Sequence, residues 1–231
     1  MHKSPRTPIA LPDLHEPLDS LEAGVAVETL ERIDGAIGAG DLQRARQLEA
    51  LLPQSLRAEP PVADRLATVR LLAGDLESAA AVLDACPQST PRLDLLRAVA
   101  ALRRDDLLAA FAIANGPSAR RSLCLRILAA IVSSLTAWEQ GVRVKSDPTA
   151  AVCETTRETL NATAGIGPES LIPAMRALRQ LFPEARPGTF PAAIRAAILS
   201  VAHDLAIPLD ATPDTLCVTP IDAVRLNLRA A

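Results

Sequence analysis

Residues Ala39–Gln54 read AGDLQRARQLEALLPQ, and residues Ala73–Gln88 read AGDLESAAAVLDACPQ. Seven of the sixteen letters coincide at an offset of 34 positions. Chance in an Ala- and Leu-rich chain gives roughly one or two, so the two stretches are copies of an internal repeat. The shared AGDL has a physical reading. A glycine just past a helix end takes the left-handed backbone that other residues resist, and the aspartate after it accepts hydrogen bonds from free N–H groups of the next helix. One tight turn therefore closes a helix and opens another. Ala45 and Ala79 put small side chains where paired helices approach, Leu48 and Val82 face the core, and Pro53 and Pro87 stop the second helices.

The pattern extends in both directions. Upstream, Leu21, Val25, Leu30, Ile33 and Ile37 recur at steps of three to five, which predicts a helix from about Leu18 to Gly40. Residues 1–17, rich in proline and without periodicity, are expected to be a flexible arm. Downstream, Thr90–Gly116 is a looser third copy. Thr90 is a good N-cap and Pro91 suits the first helical position, RDDL replaces AGDL, and Ala110 holds the small-residue place three residues short of the period. Three helical hairpins thus occupy about 18–117, and a long helix over 118–140, with Leu123, Ile127, Ala130, Ile131, Leu135 and Trp138 available to a core, closes a first region of 18–140. After the break at GVRVKSDP, a C-terminal helical region of 148–231 is expected. Its helices are placed at about 148–163, 171–182, 190–206 and 220–229, opened by Asp147-Pro148, Pro173, Thr189 with Pro191, and Thr219-Pro220.

Composition agrees with an all-α fold. Apolar residues are 49% of the chain but aromatics only 2%, with no tyrosine, so the core is built from Leu, Ala, Val and Ile, a palette that favours closely packed helices. The net charge of −3 gives no global reason to expect nucleic acid or anionic membrane as a partner. No stretch of about eighteen apolar residues exists to span a membrane, and no secretory signal follows the first basic residues, so a cytoplasmic location is expected.

At these residues the chain resembles the tetratricopeptide repeat family, whose unit is a helix-turn-helix of the same period. The resemblance rests on the turns at Gly40 and Gly74, the small Ala45 and Ala79, and Pro91 at the inter-repeat position, over about residues 18–117. The chain departs where the family places large aromatics, here Thr29, Ala36 and Glu49. The resemblance implies a helix-hairpin repeat solenoid followed by a C-terminal helical bundle or cap. It also implies a concave groove lined by the first helices. Matching the register puts Leu30, Asp34 and Ile37 there from the first unit, Asp64, Thr68, Leu71 and Leu72 from the second, and Arg92, Leu95, Val99, Leu102 and Arg103 from the third. The Lys/Asn carboxylate clamp of the family's co-chaperones is missing at these positions.

Other groups offer little chemistry. Cys86, Cys124, Cys153 and Cys217 are scattered without a CxxC pair and read as packed thiols, Cys153 included although it lies early in a helix. His203 has no histidine or cysteine at ligand spacing, and His2 and His15 lie in the arm, so no metal site is expected. Glu154, Arg157 and Glu158 are spaced as solvated ion pairs, and the sequon at Asn161 has no role in the cytoplasm. Arg120, Arg121 and Arg126 lack the interleaved aromatics of a nucleic-acid surface. No phosphate loop, nucleophile elbow or HExxH occurs, so neither catalysis nor a cofactor is expected. The expected function is a non-enzymatic protein-interaction module. It is an adaptor or chaperone whose aliphatic groove holds a partner's amphipathic helix, as small chaperones of bacterial secretion systems do. The alternative is a structural subunit, self-associating or joined to a larger assembly, whose groove is filled by its own C-terminal helices, and an all-α enzyme is the third and least favoured reading.

Overall fold

The computed structural model describes residues 16–140, 154, 158, 168–183 and 189–204. Every regular element among them is helical: α1 (Glu16–Gly38), α2 (Leu42–Glu49), α3 (Pro60–Leu72), α4 (Leu76–Ala85), α5 (Pro91–Arg103), α6 (Leu107–Ala114), α7 (Leu123–Glu139), α8 (Pro168–Leu181) and α9 (Phe190–Asp204). Short 3-10 turns at Gln54–Leu56 and Pro117–Arg121 connect α2 to α3 and α6 to α7. The arm's residues 1–15, most of the helix expected at 148–163 and the helix expected at 220–229 lie outside the described residues, as do Cys153, Arg157, Asn161 and Cys217.

Three hairpins, α1/α2, α3/α4 and α5/α6, are joined by one turn written three times. Gly40, Gly74 and Asp105 have positive φ of 73°, 79° and 59°. The N–H groups of Asp41, Asp75 and Asp106 reach back to the carbonyls of Ala36, Arg70 and Ala101, closing each first helix in a Schellman arrangement. Their carboxylates accept from the N–H groups of Arg44, Ser78 and Ala109 and open each second helix. The small positions Ala45, Ala79 and Ala110 are all fully buried. No atom lies within 4 Å of a Cβ built at Gly74, so Gly74→Ala costs only left-handed strain and destabilises by about 1 kcal/mol. Asp105 already bears that strain, and Asp105→Gly stabilises by about 0.5 kcal/mol. Urea titrations of the two variants check both signs.

Arginines from following segments cap exposed helix ends. Arg57 donates to the Glu49 carbonyl at the end of α2, and Arg103 to the Leu71 carbonyl at the end of α3. Arg97 gathers the carbonyls of Leu83 in the last turn of α4 and of Cys86 and Gln88 beyond it, and Arg195 of α9 donates to the Phe182 carbonyl beyond α8. Each guanidinium satisfies carbonyls that a helix terminus leaves without intrahelical donors, at its negative end.

Two clusters of buried side chains form the core. The first joins α1 and α2 to Val62, Leu66 and Val69 of α3. The second runs from Ala63, Ala67 and Leu71 of α3 through α4–α7 to Met175, Leu178 and Phe182 of the α8 segment and Ile194, Ile198 and Ala202 of α9. Helix α3 lies between the clusters and is buried on nearly every side. The C-terminal helices α8 and α9 therefore share a core with the second and third hairpins.

Several expected boundaries move. Val25 is exposed and Ala26 is buried, because the run Ala26, Leu30, Ile33, Ile37 holds the helical period and a step of five does not. Helix α2 ends at Glu49, and Pro53 instead precedes the 3-10 turn. The long helix expected over 118–140 begins only at Leu123. Ser122 is extended, and its hydroxyl accepts from the Leu125 N–H, so Arg120 and Arg121 sit in the preceding turn. Pro168, rather than Pro173, stands at the start of α8, and Pro173 lies exposed within it. A proline in the first turn forfeits no hydrogen bond, whereas α8 tolerates the loss of one at Pro173.

Candidate interaction site

Helices α1, α3 and α5 lie side by side, and the groove residues expected from the sequence divide into a charged end and an aliphatic end. At the charged end Asp64 is the hub. Its Oδ2 pairs with Arg65 Nη1 at 3.2 Å, and its Oδ1 accepts from Arg92 Nε at 3.0 Å and from the Thr68 hydroxyl at 3.3 Å. Arg65 reaches the other way, to Asp34 Oδ2 on α1 at 3.2 Å, and Arg92 Nη2 donates to Thr68 at 3.2 Å. The side chains are 2% exposed for Arg65, 4% for Asp64, 11% for Arg92 and 12% for Asp34. Four residues placed in the groove from sequence, Asp34, Asp64, Thr68 and Arg92, thus meet in one network. Arg65, which joins α1 to α3, was missed. The signal available for it was a basic residue beside Asp64 in an otherwise apolar helix.

The charges are set by burial and by pairing. Burial pushes the Asp34 carboxyl above its ordinary value of 3.8, outweighing the pull of Arg65, and burial likewise raises Glu49 against Arg70. The half-buried Asp75 moves below 3.8 because the Ser78 hydroxyl and N–H both hydrogen-bond to its charged form. Burial lowers Arg103 below the ordinary arginine value. These directions set opposite pH dependences. The folded state holds the Asp34 proton more tightly than the unfolded chain, so this contribution to stability declines as pH rises from 3.8 through the raised value. The Asp75 cap is fully present above 3.8 and is lost as pH falls through its lowered value. Carboxyl-carbon NMR should therefore place the Asp34 midpoint above 3.8 and the Asp75 midpoint below it.

The aliphatic end is closed. Leu71, Leu95, Val99 and Leu102 are between 0 and 2% exposed and belong to the same cluster as the apolar residues of α8 and α9, while Leu30 is buried in the first cluster. Ile37 and Leu72 are half-buried against the cores. Arg103 donates to the Leu71 carbonyl rather than into an open trough. The aliphatic residues expected in the groove therefore do not stand free.

Among the described residues, no other cluster of reactive groups is found. A depression of about 470 Å³ between α1 and α2 is lined by Arg32, Asp41, Gln43, Arg44, Gln47, Leu48 and Leu51, and the Asp41 carboxylate there is engaged in capping α2. Cys86 and Cys124 are buried thiols, and His203 is exposed. Among the described residues no three His, Cys, Asp or Glu stand together as metal ligands, and no helix is long and apolar enough to cross a membrane. No protein-family model, curated protein or solved structure matches the chain.

Proposed function

We propose that the chain is a non-enzymatic protein-interaction subunit. In this reading it is a tetratricopeptide-like stack of hairpins whose concave groove is occupied by its own C-terminal helices, and it joins other protein through its outer surface. The observation that carries the reading is the burial of Leu71, Leu95, Val99 and Leu102 in one core with α8 and α9. A chaperone that grips a partner's amphipathic helix needs such anchors open to solvent before the partner arrives. Here their apolar surface is already out of water, and a competing helix would have to displace α8 and α9 first. The charged end supports the same view, since Asp64 is hydrogen-bonded to Arg65, Arg92 and Thr68, and Arg92 to Thr68.

A fluorescently labelled peptide of residues 168–181, the sequence of α8, tests the reading in trans. The intact chain is expected to show no saturable change in anisotropy with it. Saturable binding at micromolar concentration would mean that the groove is available, and the holding function would replace the structural one.

A further inference from the structure

The first hairpin, α1/α2, packs on α3 and shares an apolar cluster with its Val62, Leu66 and Val69. Two ion pairs cross the same contact. Asp34 of α1 meets Arg65 at 3.2 Å, and Glu49 of α2 meets Arg70 at 3.5 Å. The two acidic side chains are only 12% and 13% exposed.

Each pair satisfies half of its carboxylate. Arg65 donates to Asp34 Oδ2 and Arg70 to Glu49 Oε2, while Asp34 Oδ1 and Glu49 Oε1 are buried and, among the described residues, accept no hydrogen bond. Asp64 shows fuller pairing in the same network, since Arg65 holds one of its oxygens and Arg92 and Thr68 hold the other. Among the described residues no other carboxyl group has a buried oxygen left in this way. A carboxylate oxygen shut away from water without a donor is costly, and a neutral carboxyl in the same place costs less. Only the acid of each pair can give up its charge, because a guanidinium stays protonated.

The neighbouring charges oppose this cost without cancelling it. Around Asp34 stand Asp64 and Arg65 of α3 and Arg92 of α5. Around Glu49 stand Arg46 of α2, Arg57 after the first 3-10 turn, and Arg70 of α3. Arg92 is engaged by Asp64, Arg46 by Asp75, and Arg57 by the Glu49 carbonyl rather than its carboxylate. Burial outweighs the cations, and both acids lie above their ordinary values of 3.8 and 4.5.

We infer that docking of the first hairpin on α3 is proton-linked, fastened by acidification and loosened as pH rises. Undocking returns both carboxyls to water and to their ordinary affinity for protons, so the docked state gains from each proton it holds. That gain is fully present below 3.8 for Asp34 and 4.5 for Glu49, and it is lost as pH rises through the raised values.

Hydrogen exchange of the full chain, read by mass spectrometry and corrected for intrinsic rates, tests it. From about pH 4 to about pH 7, protection of α1 and α2 relative to α5 and α6 should fall at least about fivefold. Asp34→Asn with Glu49→Gln should make that ratio independent of pH, since neither amide titrates. A wild-type ratio that stays constant or rises overturns the inference. A double variant that keeps the wild-type response overturns it as well, by assigning the protons elsewhere. If the double variant does not fold, carboxyl-carbon NMR of the wild type decides. Midpoints above 3.8 for Asp34 and above 4.5 for Glu49 support the inference, and either one at or below its ordinary value overturns it.

Discussion

Leu71→Asp and Leu102→Asp should each lower the melting temperature by ten degrees or more, or leave no cooperative transition at all. Both leucines are fully buried, Leu71 near the end of α3 and Leu102 near the end of α5. A carboxylate at either site loses its hydration, and the surrounding cluster is aliphatic. The nearby Arg103 is engaged with the Leu71 carbonyl. Removing a buried leucine by itself costs about 2–5 kcal/mol, and the buried charge adds to that. The total is comparable to the stability of an ordinary domain. An open groove predicts the reverse, because an exposed anchor accepts a charge with little change in the free protein. Circular dichroism melts of the two variants therefore separate the readings without knowledge of any partner.

The second large effect concerns Arg65. Arg65→Leu leaves Asp34 without the guanidinium that neutralises it, and Asp64 with Arg92 and Thr68 alone. Breaking a buried pair by deleting one member costs about 3–5 kcal/mol, which for a protein of this size is a fall in melting temperature of roughly 10 °C. The loss comes from the stranded charge more than from missing attraction. Arg65→Leu combined with Asp34→Leu should accordingly recover much of it, a non-additivity that a double-mutant cycle measures directly. If the double variant is as unstable as the sum of the two single ones, the pair is not coupled and the hub at Asp64 does not act as described.

The hairpins could be read from the sequence because their turns are local. The left-handed Gly40 and Gly74, and the caps at Asp41 and Asp75, depend on residues within one turn of each other, and four letters contain the whole device. The third copy was legible too, although Asp105 stands where the others have glycine, since aspartate is one of the few residues that tolerates this backbone. The fate of the groove was not local. Periodicity shows that Leu71, Val99 and Leu102 share a face with their neighbours, but it does not show whether solvent, a partner or α8 covers that face. The same limit hid the network: register aligned Asp34, Asp64, Thr68 and Arg92, while Arg65 lies off that register and joins them only through the reach of its side chain. Pro173 misled for a different reason. Proline is most at home at a helix start, and α8 spends its start on Pro168 and carries Pro173 in its interior.

The central claim is that the aliphatic groove is closed by the chain's own helices, and thiol labelling of Leu102→Cys tests it most directly. The background should carry serine at Cys153 and Cys217, and mass spectrometry should assign the modified site. If the groove is closed, the thiol at position 102 reacts at least about a thousandfold more slowly in the native protein than in urea, because it waits for an opening that costs roughly 4 kcal/mol. Adding Leu178→Asp, which undocks α8, should remove that protection. A thiol at 102 that labels in the native chain as fast as in the unfolded one would contradict the account and leave the groove open to a partner.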